Sequence, residues 1–95
     1  MNESGMTLSI CIPTFNRGRL LRHARTALVP QVQAAPDSVE LLTLDNHSTD
    51  ETPLVASELQ AIKSIRYIRN SENIGAARNI LRCVEQAQGQ MARAD

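Results

Sequence analysis

Three apolar runs that each break off abruptly into polar residues constrain this chain more than any other feature. LSICIPTFNR at 8–17 and LLTLDNHSTDET at 41–52 end in hydroxyl, amide and carboxylate side chains, and the shorter IRYIR at 65–69 opens onto turn-forming residues at 70–75. A buried strand that delivers side chains to a crevice at its carboxyl end has this pattern. In the first run Leu8, Ile10 and Ile12 alternate with Ser9 and Cys11, and Pro13 closes it because proline cannot donate to a sheet ladder. In the second, Val39, Leu41, Leu42 and Leu44 read as a strand covered on both faces.

Between the runs the period changes from two to that of a helix. Leu20, Leu21, Ala24, Ala27 and Leu28 recur at helical spacing from Arg17 onward, with Arg19, Arg22, His23 and Arg25 largely on the other side. Pro30 predicts an end near Val29, followed by a polar connection at 31–38. Ser48 and Glu51 have capping-box spacing ahead of a second helix striped by Leu54, Val55, Leu59 and Ile62. Ala77, Ile80, Leu81, Val84 and Ala87 predict a third helix that Gly89 can terminate. The order βαβαβα implies an α/β chain with a parallel, Rossmann-like sheet of three strands and three helices.

Composition limits what such a chain can do. At 95 residues it holds one modest core, in one domain or part of one, and its ten basic and ten acidic residues cancel, which argues against a nucleic-acid partner or an anionic membrane surface. No apolar run approaches membrane-spanning length, and MNESGMT has neither a basic nor an apolar leader region, so the expectation is a soluble, cytoplasmic protein. Cys11 and Cys83 lie in apolar stretches without C-x-x-C spacing and read as buried thiols rather than a disulfide. His23 reads as a surface residue and His47 as a solvent-facing turn residue, with no second ligand at zinc spacing.

In an open parallel sheet the ligand sits beyond the carboxyl strand ends, where helix amino termini present unpaired N–H groups. Those ends carry Pro13, Thr14, Phe15, Asn16 and Arg17, then Asp45, Asn46 and His47, then 70–78. A carboxylate or amide after the second strand can accept from a base imide or ribose hydroxyl, and an arginine near a helix start can pair with a diphosphate, so the constellation suits a nucleotide. Duller readings exist: Asp45, Asn46, Ser48, Thr49 and Asp50 favour a strand-to-helix turn in any α/β protein, Asn16 and Arg17 a helix entry, and Arg78, Arg82 and Glu85 a solvated face. All three clusters agreeing in order weighs against coincidence.

PTFNR, LDNHSTDET and NxGAARN (here 73–79) resemble, in order and approximate spacing, family 2 glycosyltransferases of the GT-A fold. The resemblance covers nearly all of 8–89 and implies a partial domain with 8–89 as its core, 1–6 disordered and 90–95 the truncated start of the next element. It implies an amino-terminal half that binds a nucleotide-sugar donor, with UDP-sugar first among the classes. Pro13, Thr14 and Asn16 would line the nucleoside pocket beside Arg17. Asp45 and Asn46 would hold ribose and base, Asn46 accepting from uracil N3–H through its amide oxygen where many relatives have a second aspartate. Asn73 and Gly75 would shape the loop before Arg78, which approaches the donor.

The resemblance further implies inverting transfer to an acceptor hydroxyl, with a carboxylate base and a divalent cation, Mg²⁺ or Mn²⁺, on the diphosphate. Asp95 is the candidate first acid of the metal motif and the base lies downstream, so residues 1–95 alone are expected to be inactive. Three other classes compete with this reading. A dinucleotide-binding Rossmann domain would share Asp45 but needs a glycine-rich turn that PTFNRG lacks. A phosphoacceptor domain would need carboxylates where Phe15 and Asn16 stand. A non-catalytic remnant or nucleotide-binding module would keep the pocket without the chemistry.

Overall fold

The computed structural model describes residues 7–87 and 90–93. Its elements are β1 (Leu8–Thr14), α1 (Gly18–Ala34), β2 (Val39–Asp45), α2 (Thr52–Leu59), β3 (Ile65–Arg69), α3 (Ala76–Gln86) and β4 (Gln90–Arg93). The three expected strands and three expected helices alternate in a parallel sheet, and 90–93 adds a fourth strand that pairs with β1. The strand order is β3-β2-β1-β4, so the chain builds outward from β1 in one direction and then crosses back to its other side. In such sheets that reversal marks the crevice.

Register explains the two-sided core. Ile10 lies beside Leu41 and Cys11 beside Leu42, so alternate side chains of neighbouring strands share a face. Ile10, Ile12, Leu41 and Ile65 pack with Leu21 and Val32 of α1 and Val55, Ala56 and Leu59 of α2. Cys11, Leu42 and Leu44 pack on the other face with Cys83 of α3. Central β2 is buried from Glu40 to its end, which is why it reads as a nearly continuous apolar run. Glu40, an acid in the middle of that run, is buried against Ser9 at 2.6 Å and Arg66 at 3.0 Å.

Four local expectations need correction. α1 does not stop near Val29 but runs through Pro30 to Ala34, and only 35–38 remain as the connection. An interior proline costs about 3 kcal/mol; full burial of Val32 on the added turn contributes about 1.5–3 kcal/mol, enough to offset most of that. Gln31 Nε2 also donates to the Ala27 carbonyl at 3.2 Å. The Ser48–Glu51 capping box does not form, because α2 starts at Thr52 and Ser48 is taken by Asp45.

The third correction concerns α3, whose apolar stripe does not face the core. Asn79 and Cys83 are buried instead, while Leu81 and Val84 are 59% and 57% exposed. Buried polar groups need partners more than leucine needs cover, and Asn79 finds Leu44 O and Asn70 beneath the helix. The fourth is that Cys11 and Cys83 are joined as a disulfide, with Cα atoms 6.1 Å apart, because α3 lies directly over β1. Gly89 as helix terminator, disorder at 1–6 and Asp95 as a metal ligand lie outside the described residues.

Candidate functional site

The carboxyl ends of β1 and β2 turn through residues in the left-handed region: Asn16 with φ 50° and His47 with φ 69°. Asparagine and histidine are several-fold enriched there, and such residues cluster at functional loops. Asn16 ties the two loops together. Its Oδ1 accepts from the N–H groups of Thr49 at 2.7 Å and Asp50 at 3.2 Å, and its own N–H donates to Ser48 Oγ at 2.8 Å. His47 is not solvent-facing as expected, since its Nδ1 lies 3.1 Å from the Asn70 carbonyl, tying the second loop to the third. His23 is exposed, as the sequence suggests.

Asp45 is fully buried, and both carboxylate oxygens are engaged within the protein. Oδ1 accepts from Ser48 N at 2.9 Å and Ser48 Oγ at 2.5 Å, while Oδ2 accepts from the Tyr67 hydroxyl at 2.6 Å and lies 3.9 Å from Arg69 Nε. Burial, the hydrogen bond to Asp45 and its charge all push the Tyr67 phenol well above its usual range, against an opposing effect of Arg69, so Tyr67 stays a donor. Asp50 is shifted the other way. Burial works to raise its pKa, but hydrogen bonds from Thr52 and from Gly18 N outweigh it and hold the carboxyl below its ordinary 3.8.

Asn46 is the centre of a network of four asparagines. Its Oδ1 accepts from Ile74 N at 2.9 Å and Asn70 Nδ2 at 3.0 Å, and its Nδ2 donates to Asn73 Oδ1 at 2.9 Å. Asn73 Oδ1 also accepts from Gly75 N at 2.8 Å, and Asn70 Nδ2 donates to Asn79 Oδ1 at 2.9 Å. Asn79 Nδ2 reaches the Leu44 carbonyl at 2.9 Å. The loop after β3 is thereby fixed to the end of β2. Gly75 begins α3 at φ 87° and ψ 155°, a backbone region essentially confined to glycine.

Two hollows flank the end of β1, and Pro13 and Thr14 border both. The larger, about 440 Å³, is mostly apolar and lies against α1, lined by Arg17, Leu20, His23 and Ala24 among others. The smaller, about 230 Å³, brings together Pro13, Thr14 and Phe15 from the first loop, Asn46 from the second, and Ala76, Asn79 and Ile80 from α3. Size alone favours the first, but convergent polar groups from separate strand ends mark a binding site better, and only the smaller has them. The Thr14 hydroxyl at their junction is buried without a protein hydrogen-bond partner.

Of the nine candidate residues, Pro13, Thr14 and Asn46 border the smaller hollow and Arg17 the larger. Asn16, Asp45, Asn73 and Gly75 stand behind the site, holding its loops. Arg78 is exposed on the first turn of α3. Phe15, Ala76, Asn79 and Ile80 border the hollow without having been singled out as candidates. Asn79 closes the NxGAARN motif at 73–79, and that is the sequence signal that could have found it. Among the described residues no group of three His, Cys, Asp or Glu could hold a metal ion, and no helix is long and apolar enough to cross a membrane.

Known proteins resemble this chain in sequence and in fold. Abequosyltransferase RfbV from Salmonella typhimurium is 36% identical over 86 residues, covering 88% of this chain and 26% of that protein. The structure of S. aureus TarS in complex with UDP-GlcNAc superposes with a TM-score of 0.79 at 22% identity, over 95% of this chain and 26% of that one. Mannosyltransferase PcManGT from Pyrobaculum calidifontis, in complex with GDP-Man and Mn²⁺, does so at 0.68 and 18%, over 92% and 26%. These structures share the GT-A type of fold with this chain, which spans about a quarter of the length of the curated relatives it matches. The sequence profile of Glycosyl transferase family 2 matches residues 9–92, and the chain belongs to that family.

Proposed function

We propose that residues 8–89 form the donor-binding core of an inverting glycosyltransferase, gripping a nucleotide-sugar in the hollow between the β1 loop and α3. The observation that carries this reading is the convergence of Thr14, Asn46 and Asn79 from three separate elements on one hollow at the carboxyl edge of a parallel sheet. The nucleoside lies against Pro13, Phe15 and Ile80, which supply apolar surface, and the amides of Asn46 and Asn79 face its polar edge. In this reading Arg17 and Arg78, both exposed at helix starts, pair with the diphosphate. Support for a nucleotide-sugar, with UDP-sugar as the class the resemblance puts first, comes from TarS having been captured with UDP-GlcNAc.

In this reading the chemistry lies beyond the described residues. Inverting transfer needs a carboxylate to remove the acceptor proton as the hydroxyl oxygen attacks the anomeric carbon and the nucleoside diphosphate leaves. Asp45 is unsuited, being fully buried with both oxygens occupied. The described residues also do not fit the divalent cation that PcManGT carries, since no metal-binding cluster stands among them. In this reading the described residues bind donor and do not themselves turn it over. Equilibrium binding of nucleotide-sugars to the 95-residue chain tests this: saturable binding displaced by the parent nucleoside diphosphate, but not by free sugar, is the expected result. Sugar transfer catalysed by the same purified chain would overturn the division of labour, and absence of any nucleotide binding would overturn the site.

A further inference from the structure

We infer that the Cys11–Cys83 disulfide is a redox latch on the smaller hollow: closed, it holds the second half of α3 against β1, and its reduction loosens that wall and weakens nucleotide binding. The effect on the nucleotide rests on the donor-site reading above; the hold on α3 does not. Cys11 stands three residues before Thr14 on β1, and Cys83 stands one turn after Asn79 and three residues after Ile80 on α3. Thr14, Asn79 and Ile80 all border the hollow. The disulfide therefore joins, through Cα atoms 6.1 Å apart, two of the elements that line it. Little else holds that half of the helix. Among its described residues α3 buries two, Asn79 and Cys83, while Leu81 and Val84 are exposed. Asn79 ties the first turns to the Leu44 carbonyl and to Asn70 whether or not the disulfide is present. Beyond Asn79, Cys83 enters the interior and the Gln86 carbonyl accepts from Arg66 at 2.5 Å.

The two faces of the sheet are unequal in a way that confines the effect to α3. The apolar cluster beneath α3 consists of Cys11, Leu42, Leu44 and Cys83, with Ile68 packed against it, so the two cysteines make up half of its buried members. The cluster on the opposite face draws its buried residues from β1, α1, β2, α2 and β3 and includes neither cysteine. Opening the disulfide leaves that larger core whole. Both cysteines are fully buried, so a thiolate reaches their sulfurs only when α3 lifts locally. A dithiol reductant then opens the latch in two exchanges. Its thiolate attacks one cysteine sulfur, breaking the S–S bond and forming a mixed disulfide; its second thiol displaces that sulfur in turn. Two electrons and two protons pass to the protein, leaving Cys11 and Cys83 as thiols and the reductant as a disulfide. A small-molecule disulfide reverses the exchange. A nucleotide lying against α3 opposes the lifting, so by linkage the factor that oxidation adds to nucleotide affinity is the factor that bound nucleotide adds to resistance against reduction.

Amide hydrogen exchange of the 95-residue chain, oxidised and after treatment with excess dithiothreitol, with free thiols counted in each sample, tests the latch without any ligand. Exchange from Ile80 to Gln86 should quicken severalfold on reduction while α1 and α2 keep their rates, and reoxidation should restore the slow exchange. Unchanged exchange in α3 once both thiols are free would overturn the latch. So would a disulfide that survives the dithiol in the folded chain, or a common acceleration of all three helices, which would make the bond a staple of the whole fold. Calorimetric titration with UDP then reads the consequence for the site: affinity should fall about tenfold on reduction, within the usual range for two coupled sites. Equal affinity in the two forms would overturn the link between latch and hollow. Absence of UDP binding to either form would overturn the donor-site reading instead, with the exchange rates still deciding whether the disulfide holds α3.

Discussion

Asn46 Oδ1 accepts the backbone N–H of Ile74 at 2.9 Å, joining the end of β2 to the loop that opens α3 across 28 residues of sequence. Together with the Asn46 contacts to Asn70 and Asn73, it holds that loop to the end of the sheet. Leucine at position 46 would leave the Ile74 N–H without its partner and remove one of the two acceptors of Asn70 Nδ2. An unsatisfied buried group costs about 1–3 kcal/mol, so Asn46→Leu should lower unfolding free energy by that amount in urea. Asn73→Ala, at an exposed position, should cost less, about 1 kcal/mol or below. Equal stability of Asn46→Leu and the parent chain would show that the network does not hold the loop.

Tyr67 offers a separate test of the buried carboxylate. Tyr67→Phe deletes the O–H that donates to Asp45 Oδ2 at 2.6 Å while keeping the ring. A hydrogen bond to a charged group contributes about 1.5–3 kcal/mol, and a loss of that size is expected from urea melts at neutral pH. A neutral substitution would mean that Asp45 has another donor for that oxygen.

Gly75 isolates backbone from packing. A Cβ built there meets nothing within 4 Å, so Gly75→Ala creates no clash and any loss must come from the unusual φ of 87°. Residues forced into such regions cost about 1–3 kcal/mol. Denaturant unfolding should show that loss, and an unaffected midpoint would imply that α3 can begin from another backbone conformation.

Acid stability should depend on Asp50. Its folded pKa lies below the ordinary 3.8, so its contribution to stability is present above that value and disappears as pH falls through the lower folded pKa. Asp50→Asn should therefore narrow the gap in melting temperature between pH 6 and pH 2. An unchanged gap would place the acid sensitivity elsewhere.

The elements of the fold were readable because each leaves a periodic trace. Leu8, Ile10 and Ile12 announce β1, and the run from Leu41 to Leu44 announces a strand covered on both faces. What escaped was anything decided between distant residues. Nothing local to Pro30 tells that Val32, two residues on, will be buried in the core. The amphipathic pattern of α3 names two faces without saying which one the sheet receives, and the answer came from Asn79 reaching Leu44 O across 35 residues. Cys11 and Cys83 meet across a separation of 72.

The site was legible at the level of its loops and not of its atoms. The three polar clusters do converge at one sheet edge, and Pro13, Thr14 and Asn46 border the hollow there. Residue type alone made Asp45 a natural ligand. Its partners Ser48 and Tyr67, one three residues away and the other twenty-two, turn it into a support for the loops instead. In the same way the amide of Asn46 offered two chemistries, and main-chain groups on another loop chose between them.

The central claim, that the hollow between the β1 loop and α3 holds the nucleoside, is tested most directly by amide chemical shifts of the ¹⁵N-labelled chain titrated with UDP. Saturable shifts centred on Thr14, Phe15, Asn46, Ala76 and Asn79, with residues such as Gln33 and Lys63 at the opposite edge unmoved, are the predicted result. Shifts centred instead on Leu20 and His23 in the larger hollow, or no saturable shift, would contradict it.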